Sequence, residues 1–282
     1  MGRYKMNIQQ LTQEEYRAVD ALSNSELQLI ARSPSEIEWS RNAPVDNTKT
    51  AAFDFGTALH AALLEPETFN DSVLVYTDTK SRETVKFKAF YDAHMSEGKL
   101  ILLEDEYSKI RFQVDSAYAH PTFAKIMRDA AYLEKSIFTK LDGVNVKIRP
   151  DLIAEGGLLC DVKTTASIDD WRNSAKWKNP LFTHGYGHTA AFYMDVLSEA
   201  SDMQVDSYTF LVVQKTISLG KYPVAVITIT REECERYGFF DEVYANLARY
   251  KQCKADDNWI GYESFPAFPV FESEQVVISE VD

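Results

Sequence analysis

Apolar and polar positions alternate with two different periods along this chain, and the change of period divides it. In LSNSELQLIARSP, Ser23 is followed three residues later by Glu26, a capping-box pairing. Leu27, Leu29 and Ile30 then supply an apolar face and Pro34 a stop, which predicts a helix. FDFGTALHAALLEP predicts a second helix, ending before Pro66. A longer helical region is expected over 104–128, interrupted near Pro121. From residue 133 the runs shorten. LEKSIFTKLDGVNVKIRPDLIAEGGLLCDVKTT is broken by Asp142-Gly143 and by Glu155-Gly156-Gly157, which predicts three consecutive antiparallel strands. Helical patterns return at 167–177 and 187–200, strands are expected at 206–214 and 223–230, and a last helix at 231–251. The order implies an α+β fold with a central sheet. FPAFPVFESEQVVISEVD reads as an extended tail.

The strand registers bring chemistry together. If Asp142-Gly143 is a two-residue turn, Leu141 faces Val144 and, counting outward, Glu134 faces Asp151. If 155–157 is the next turn, Ala154 faces Leu158 and Asp151 faces Asp161. Lys163 lies two residues further on the same face. Opposed residues have Cβ atoms roughly 5 Å apart, so these carboxylates repel unless a cation sits between them. All-oxygen ligands suit Mg²⁺ or Mn²⁺, and a neighbouring lysine can orient or deprotonate a water or steady charge on a phosphate. Metal, lysine and carboxylates together are what phosphodiester hydrolysis requires. The competing reading is a solvated charged face, since Asp-x-Lys by itself is common.

Composition modifies this picture. A net charge of −13 over 282 residues argues against nucleic-acid binding in general. Two stretches are locally basic. One carries Lys80, Arg82, Lys86 and Lys88; the other runs from Lys163 through Arg172, Lys176 and Lys178, interleaved with Trp171 and Trp177. Basic and aromatic side chains together suit a nucleic-acid strand. Cys160, Cys234 and Cys253 form no CxxC pair and are read as reduced thiols. No apolar run of transmembrane length occurs and the N-terminus lacks a secretory pattern, so a cytoplasmic protein with no membrane partner is expected.

RPDLIAEGGLLCDVKTT, with Pro150-Asp151 and then Asp161-Val162-Lys163, resembles the signature of PD-(D/E)XK nucleases, and more narrowly that of the RecE-type exonucleases (exodeoxyribonuclease VIII) of phages and prophages. LSNSELQLIARSP, FGTALHAALLEP, LEKSIF, GVNVKIRPDL, CDVKTT and YGHTAAFY extend the likeness over most of the chain. The resemblance implies a restriction-endonuclease-like, α/β/α-like core: one exonuclease domain over 1–282, with a helical region at about 20–130 and a tail at about 263–282. It implies that Asp151, Asp161 and the Val162 carbonyl hold the metal with His60 beside it, as a ligand or bonded to one, that Lys163 positions water, that Glu134 lines the pocket and that Tyr193 contacts the substrate backbone or orders the site. Thr189 stands where relatives carry glutamine, four residues before that tyrosine. The implied activity is Mg²⁺-dependent digestion of linear duplex DNA, 5′ to 3′, leaving 3′ tails for a single-strand annealing protein, by a ring of three or four copies. The alternatives are a RecB- or Cas4-like endonuclease or repair nuclease, and a non-catalytic DNA-binding subunit. A four-cysteine iron–sulfur version does not match three scattered cysteines.

Overall fold

The structure is a computed structural model that describes residues 8–44, 55–201 and 203–261. The tail expected at 263–282 and the first residues of the FDFGTALHAALLEP segment lie outside them. In chain order the elements are β1 (Ile8–Gln9), α1 (Gln13–Ala18), β2 (Leu22–Ser23), α2 (Asn24–Arg32), α3 (Ser35–Asn42), α4 (Phe55–Leu64) and α5 (Pro66–Phe69). Next come β3 (Val73–Tyr76), α6 (Val85–His94), β4 (Leu100–Leu103), α7 (Glu104–Ala119) and α8 (Pro121–Arg128). The strands β5 (Ala130–Leu133), β6 (Ser136–Leu141), β7 (Val144–Ile148), β8 (Leu152–Ala154) and β9 (Leu158–Thr165) follow. The chain ends with α9 (Pro180–Thr183), α10 (Tyr186–Ser201), β10 (Ser207–Gln214), β11 (Val224–Thr230), α11 (Arg231–Tyr237) and α12 (Phe239–Asp256).

Among the described residues the central sheet has the order β11-β10-β9-β8-β5, with β9 and β10 parallel and the other pairs antiparallel. A second sheet runs β1-β6-β7-β2, and β3 and β4 form a small parallel pair. Alternation along the central strands gives two apolar faces. Leu159, Phe210 and Val212 pack with α10 and α12, through Phe192, Val243 and Leu247. Cys160, Val162, Leu211 and Val213 pack with α4, α7 and α8, through Leu59, Ile110 and Phe123. This is a mixed sheet flanked by helices, the expected α+β class. No described helix is long and apolar enough to cross a membrane.

The capping box at Ser23 and Glu26 forms as read, and the helical region 104–128 breaks at His120 before Pro121. Three expectations change. The 133–165 meander does not stay in one sheet, because β6 and β7 leave it for the second sheet while β5, β8 and β9 remain. The helix expected at 167–177 is reduced to one 3-10 turn, Asp169–Arg172, and the last helix is divided by Gly238 at φ +80.

Candidate active site

The divided meander makes the site. Leu141 faces Val144 and Ala154 faces Leu158, as the two turns require. The register continues across the break: Leu133 faces Leu152, and the Glu134 N–H donates to the Asp151 carbonyl at 2.9 Å. Glu134 itself adopts φ +46, the left-handed region that non-glycine residues rarely enter. Such strain persists only where surroundings enforce it. Here it swings the strand from one sheet to the other and leaves the Glu134 side chain beside Asp151.

Asp151 stands just before β8, at the mouth of the sheet. Its Oδ2 accepts from the Val162 N–H at 2.7 Å, which locks it against β9. Its Oδ1 lies 2.9 Å from His60 Nε2, and His60 Nδ1 lies 3.5 Å from Glu134 Oε1. His60 is available because α4 buries Ala58, Leu59, Ala62 and Leu63, leaving residue 60 off the buried stripe and turned to the acids. Asp161 and Lys163, two apart on β9, share a face, and Lys163 Nζ forms an ion pair with Asp161 Oδ2. That oxygen is buried, and the Lys163 ammonium is its partner. Lys163 also sits 5.2 Å from the Tyr186 ring. Val162, between the two, points its side chain into the other face of the sheet.

Electrostatics follow from this crowding. Burial, and then the Asp151 charge, push the Asp161 carboxyl up to about 6 against the opposing pull of Lys163. Burial also raises Glu134, helped by Asp151 and Glu65. Burial alone would strip the proton from His60, but the Asp151 hydrogen bond and the charges of Asp151, Glu134 and Asp161 outweigh it and raise His60. Burial opposes charge on Lys163 as well, and Asp161 and Asp151 reverse that balance, so it remains an ammonium.

No three histidine, cysteine or carboxylate side chains among the described residues converge to hold a metal ion as they stand. The reason is visible: the acids are engaged by His60, by Lys163 and by a backbone N–H. The donor set nevertheless fits a hard divalent cation. It contains the carboxylates of Glu134, Asp151 and Asp161 and the imidazole of His60, and the buried Asp161 carboxyl is raised by its burial and by the Asp151 charge.

A cavity of about 680 Å³ opens from Glu134 and Asp151 and is bounded by Tyr193, Arg17, Arg41, Lys147 and Arg149. Lys147 Nζ donates to the carbonyls of Tyr16, Arg17 and Val19 at 2.7–3.2 Å. Arg149 donates to Ser136 Oγ, Gln13 Oε1 and the Leu11 carbonyl. These acceptors are neutral, but acids stand close by: the Glu26 charge acts on Lys147 and the Glu134 charge on Arg149, while Arg41 is paired with Glu26. Reading the sequence missed this basic wall. Its signal was the alternation Val146, Lys147, Ile148, Arg149, which puts both bases on one side of the strand leading to Asp151.

Other expected contacts lie elsewhere. The Arg82 guanidinium is taken up by Glu106, at 2.6 and 2.8 Å, and by the Ile101 carbonyl, so it braces the β3–β4 unit. Lys86 and Arg172 are exposed and are not among the described residues lining the cavity. Trp171 is buried against Tyr186 and Phe210 and cannot stack on a base, whereas Trp177 is exposed. The Thr189 hydroxyl accepts from Asn24 at 2.9 Å and donates to the Gly185 carbonyl, tying α10 to α2.

A family described as a PDDEXK-like domain of unknown function (DUF3799) matches residues 23–263. Among solved structures, that of a "Putative exonuclease" from Eubacterium rectale superposes with a TM-score of 0.61, at 14% identity, over 91% of each chain. Another, SSO0001, reaches a TM-score of 0.28 at 13% identity, over 67% of this chain and 83% of the other, too low to bear on the fold. No curated protein matches the chain significantly.

Proposed function

Because the chain belongs to the family of PDDEXK-like domains of unknown function (DUF3799), we propose that it is a divalent-metal-dependent exodeoxyribonuclease of the RecE type. It acts on ends of linear duplex DNA. One observation carries the reading: Asp151, Asp161, Glu134, His60 and Lys163 gather at the edge of a cavity whose other wall is basic.

Asp151 and Asp161 would hold Mg²⁺, or Mn²⁺ in its place, with His60, Glu134 and the Val162 carbonyl as further donors. Such an ion, when bound, neutralises phosphate charge and lowers the pKa of water. Lys163, kept protonated by two acids, directs N–H donors at a water or a phosphate oxygen, so it orients and stabilises instead of serving as the base. His60 holds Asp151 in place. Tyr193 lines the cavity and remains a phenol, because burial raises it far beyond its usual range. Arg17 and Arg149 face the phosphates of the entering strand, with the buried charge of Lys147 behind them. Arg82 and Thr189 have structural partners, so substrate contact passes to this wall. In this reading digestion runs 5′ to 3′ and the 3′ tails feed a single-strand annealing protein.

The test is digestion of end-labelled linear duplex with Mg²⁺. Wild type should release nucleotides from the 5′ end and leave closed circles intact. Chelation should abolish release, and Lys163→Ala should slow it by roughly 100-fold or more. Equal rates for wild type and Lys163→Ala would overturn the site. Cleavage of closed circles would replace the exonuclease with an endonuclease.

A further inference from the structure

The central sheet ends on β11, and its edge is built unlike the others. β5, the opposite edge, is four residues long, carries a register shift between Ala130 and Tyr132, and runs into Glu134. β1 and β2 are two residues each. Short length, bulges and charges are the usual means of blunting a sheet edge. β11 has none of them: VAVITIT is seven residues, paired without a register shift and free of charge and proline.

Its open backbone groups follow from the ladder. Gln214 N–H donates to the Pro223 carbonyl and Arg231 N–H to the Asp206 carbonyl, so the odd-numbered residues from 223 to 231 bond toward β10. Val224, Val226 and Thr228 therefore turn their N–H and C=O groups away from the sheet. Thr230 does too, but its N–H is already taken by Glu233. Side chains on both faces of the strand are half-buried in the two cores, Ala225 and Ile227 on one side and Val224 and Val226 on the other. The strand is thus packed on both faces, and among the described residues no strand pairs with its outer edge.

We propose that β11 is a self-association edge, pairing antiparallel with β11 of a second copy of this chain around a two-fold axis at Ile227. That register places Val226 opposite the second copy's Thr228 and the reverse, and Val224 opposite Thr230, so the whole strand overlaps. It also brings Lys221 toward the first turn of the second copy's α11, where Glu232 and Glu233 are acidic, on each side of the axis. The full overlap therefore satisfies the edge and matches charge together. The β10–β11 hairpin tip, with Ile217 60% and Leu219 98% exposed, then extends over the second copy's α11, where Tyr237 is 41% exposed. An isologous contact of this kind closes on itself as a dimer and joins two central sheets into one.

The proposal rests on β11 and not on the acidic site, so it is tested separately from nuclease activity. The full chain is examined by sedimentation over a wide concentration range. Wild type should show a reversible monomer–dimer equilibrium. Thr228→Pro removes an outward N–H together with the hydroxyl bonded to Thr209 Oγ1, a loss that Thr228→Val shares without the N–H; the proline variant should weaken association tenfold or more with DNA digestion retained, Thr228→Val should not, and Lys221→Glu should weaken it as well. Ile227 faces its own copy across the axis as a non-hydrogen-bonded pair, with Cα atoms about 4.5 Å apart. Ile227→Cys should accordingly give a disulfide-linked dimer on mild oxidation; the native cysteines are buried. A monomer at every concentration overturns the proposal. So does an assembly, ring or otherwise, that Thr228→Pro leaves unchanged and that Ile227→Cys does not cross-link.

Discussion

At the scale of single residues, the acidic site is at once the chemistry and the least comfortable part of the fold. Asp161 has its carboxyl raised from 3.8 to about 6. A group raised on folding contributes stability at low pH and loses it as pH rises through the folded value, so at neutral pH ionised Asp161 works against the fold. A bound cation reverses this. Mn²⁺ should therefore raise Tm at pH 7.5, by several degrees at saturating concentration, and a chelator should undo it; Asp151→Asn should blunt the effect. A thermal scan with no Mn²⁺-dependent shift would remove the metal from the reading. His188 behaves in the opposite sense. Its Nδ1 bonds Asn24 Oδ1 at 3.0 Å and its Nε2 meets Asn246 Nδ2 at 3.3 Å, a pairing that suits the neutral ring with the proton on Nδ1. Burial lowers it to about 4. A histidine lowered on folding supports stability above about 6.5 and loses that support as pH falls toward 4, an effect on the order of 3 kcal/mol at most. Denaturant titrations of wild type and His188→Gln at pH 7 and pH 4.5 should show the gap between them narrowing in acid. A constant gap would contradict it.

At the scale of elements, α10 and α12 meet through one missing side chain. A Cβ on Gly187 would sit 2.2 Å from the Phe239 ring, which α12 drives into the start of α10. Gly187→Ala should destabilise by about 1–3 kcal/mol through overpacking, despite alanine's better helix propensity. A denaturation midpoint at or above wild type would refute the contact. The same scale shows what the chain's pattern made legible. Asp142-Gly143 announced its turn because both residues must take positive φ, which these two types accept. Caps, helix stops and both hairpin registers were readable for similar local reasons, and with them the row from Glu134 to Lys163. The swing at Glu134 was not, since a glutamate at φ +46 has no local signature and is imposed by two sheets. β1 and β2, two residues each, are defined only by their partners. The failed helix at 167–177 is rich in residues that bond their own backbone. Asn173 Oδ1 accepts from Ala175 N–H and Ser167 Oγ from Asp169 N–H, while Asn179 Nδ2 donates to the carbonyls of Trp171 and Asn173.

At the scale of the whole molecule, the charge of −13 and a DNA substrate are reconciled by where the bases lie. The runs that looked basic in the sequence are spent elsewhere: Arg82 on Glu106, Lys176 over the Phe182 ring and Lys178 over that of Trp177. The wall facing the cavity draws on Arg17, Lys147 and Arg149, far apart in the chain and joined only by the fold. With an acidic exterior, attraction to a duplex is confined to that wall, so few phosphates are neutralised. Each neutralised phosphate contributes about −0.9 to the slope of log K against log salt on duplex DNA; Lys147 is buried on three carbonyls, so the two bases that reach the cavity surface, Arg17 and Arg149, predict a slope of roughly −2. Arg17 is exposed, and among the described residues none bonds its guanidinium, whereas Lys147 and Arg149 hold the α1 segment through its carbonyls. Arg17→Ala should therefore leave Tm unchanged while lowering affinity for duplex ends and flattening the slope by about one. The measurement is fluorescence anisotropy with end-labelled duplex in Ca²⁺, across a salt series. An unchanged slope would mean that DNA enters by another face of this acidic protein.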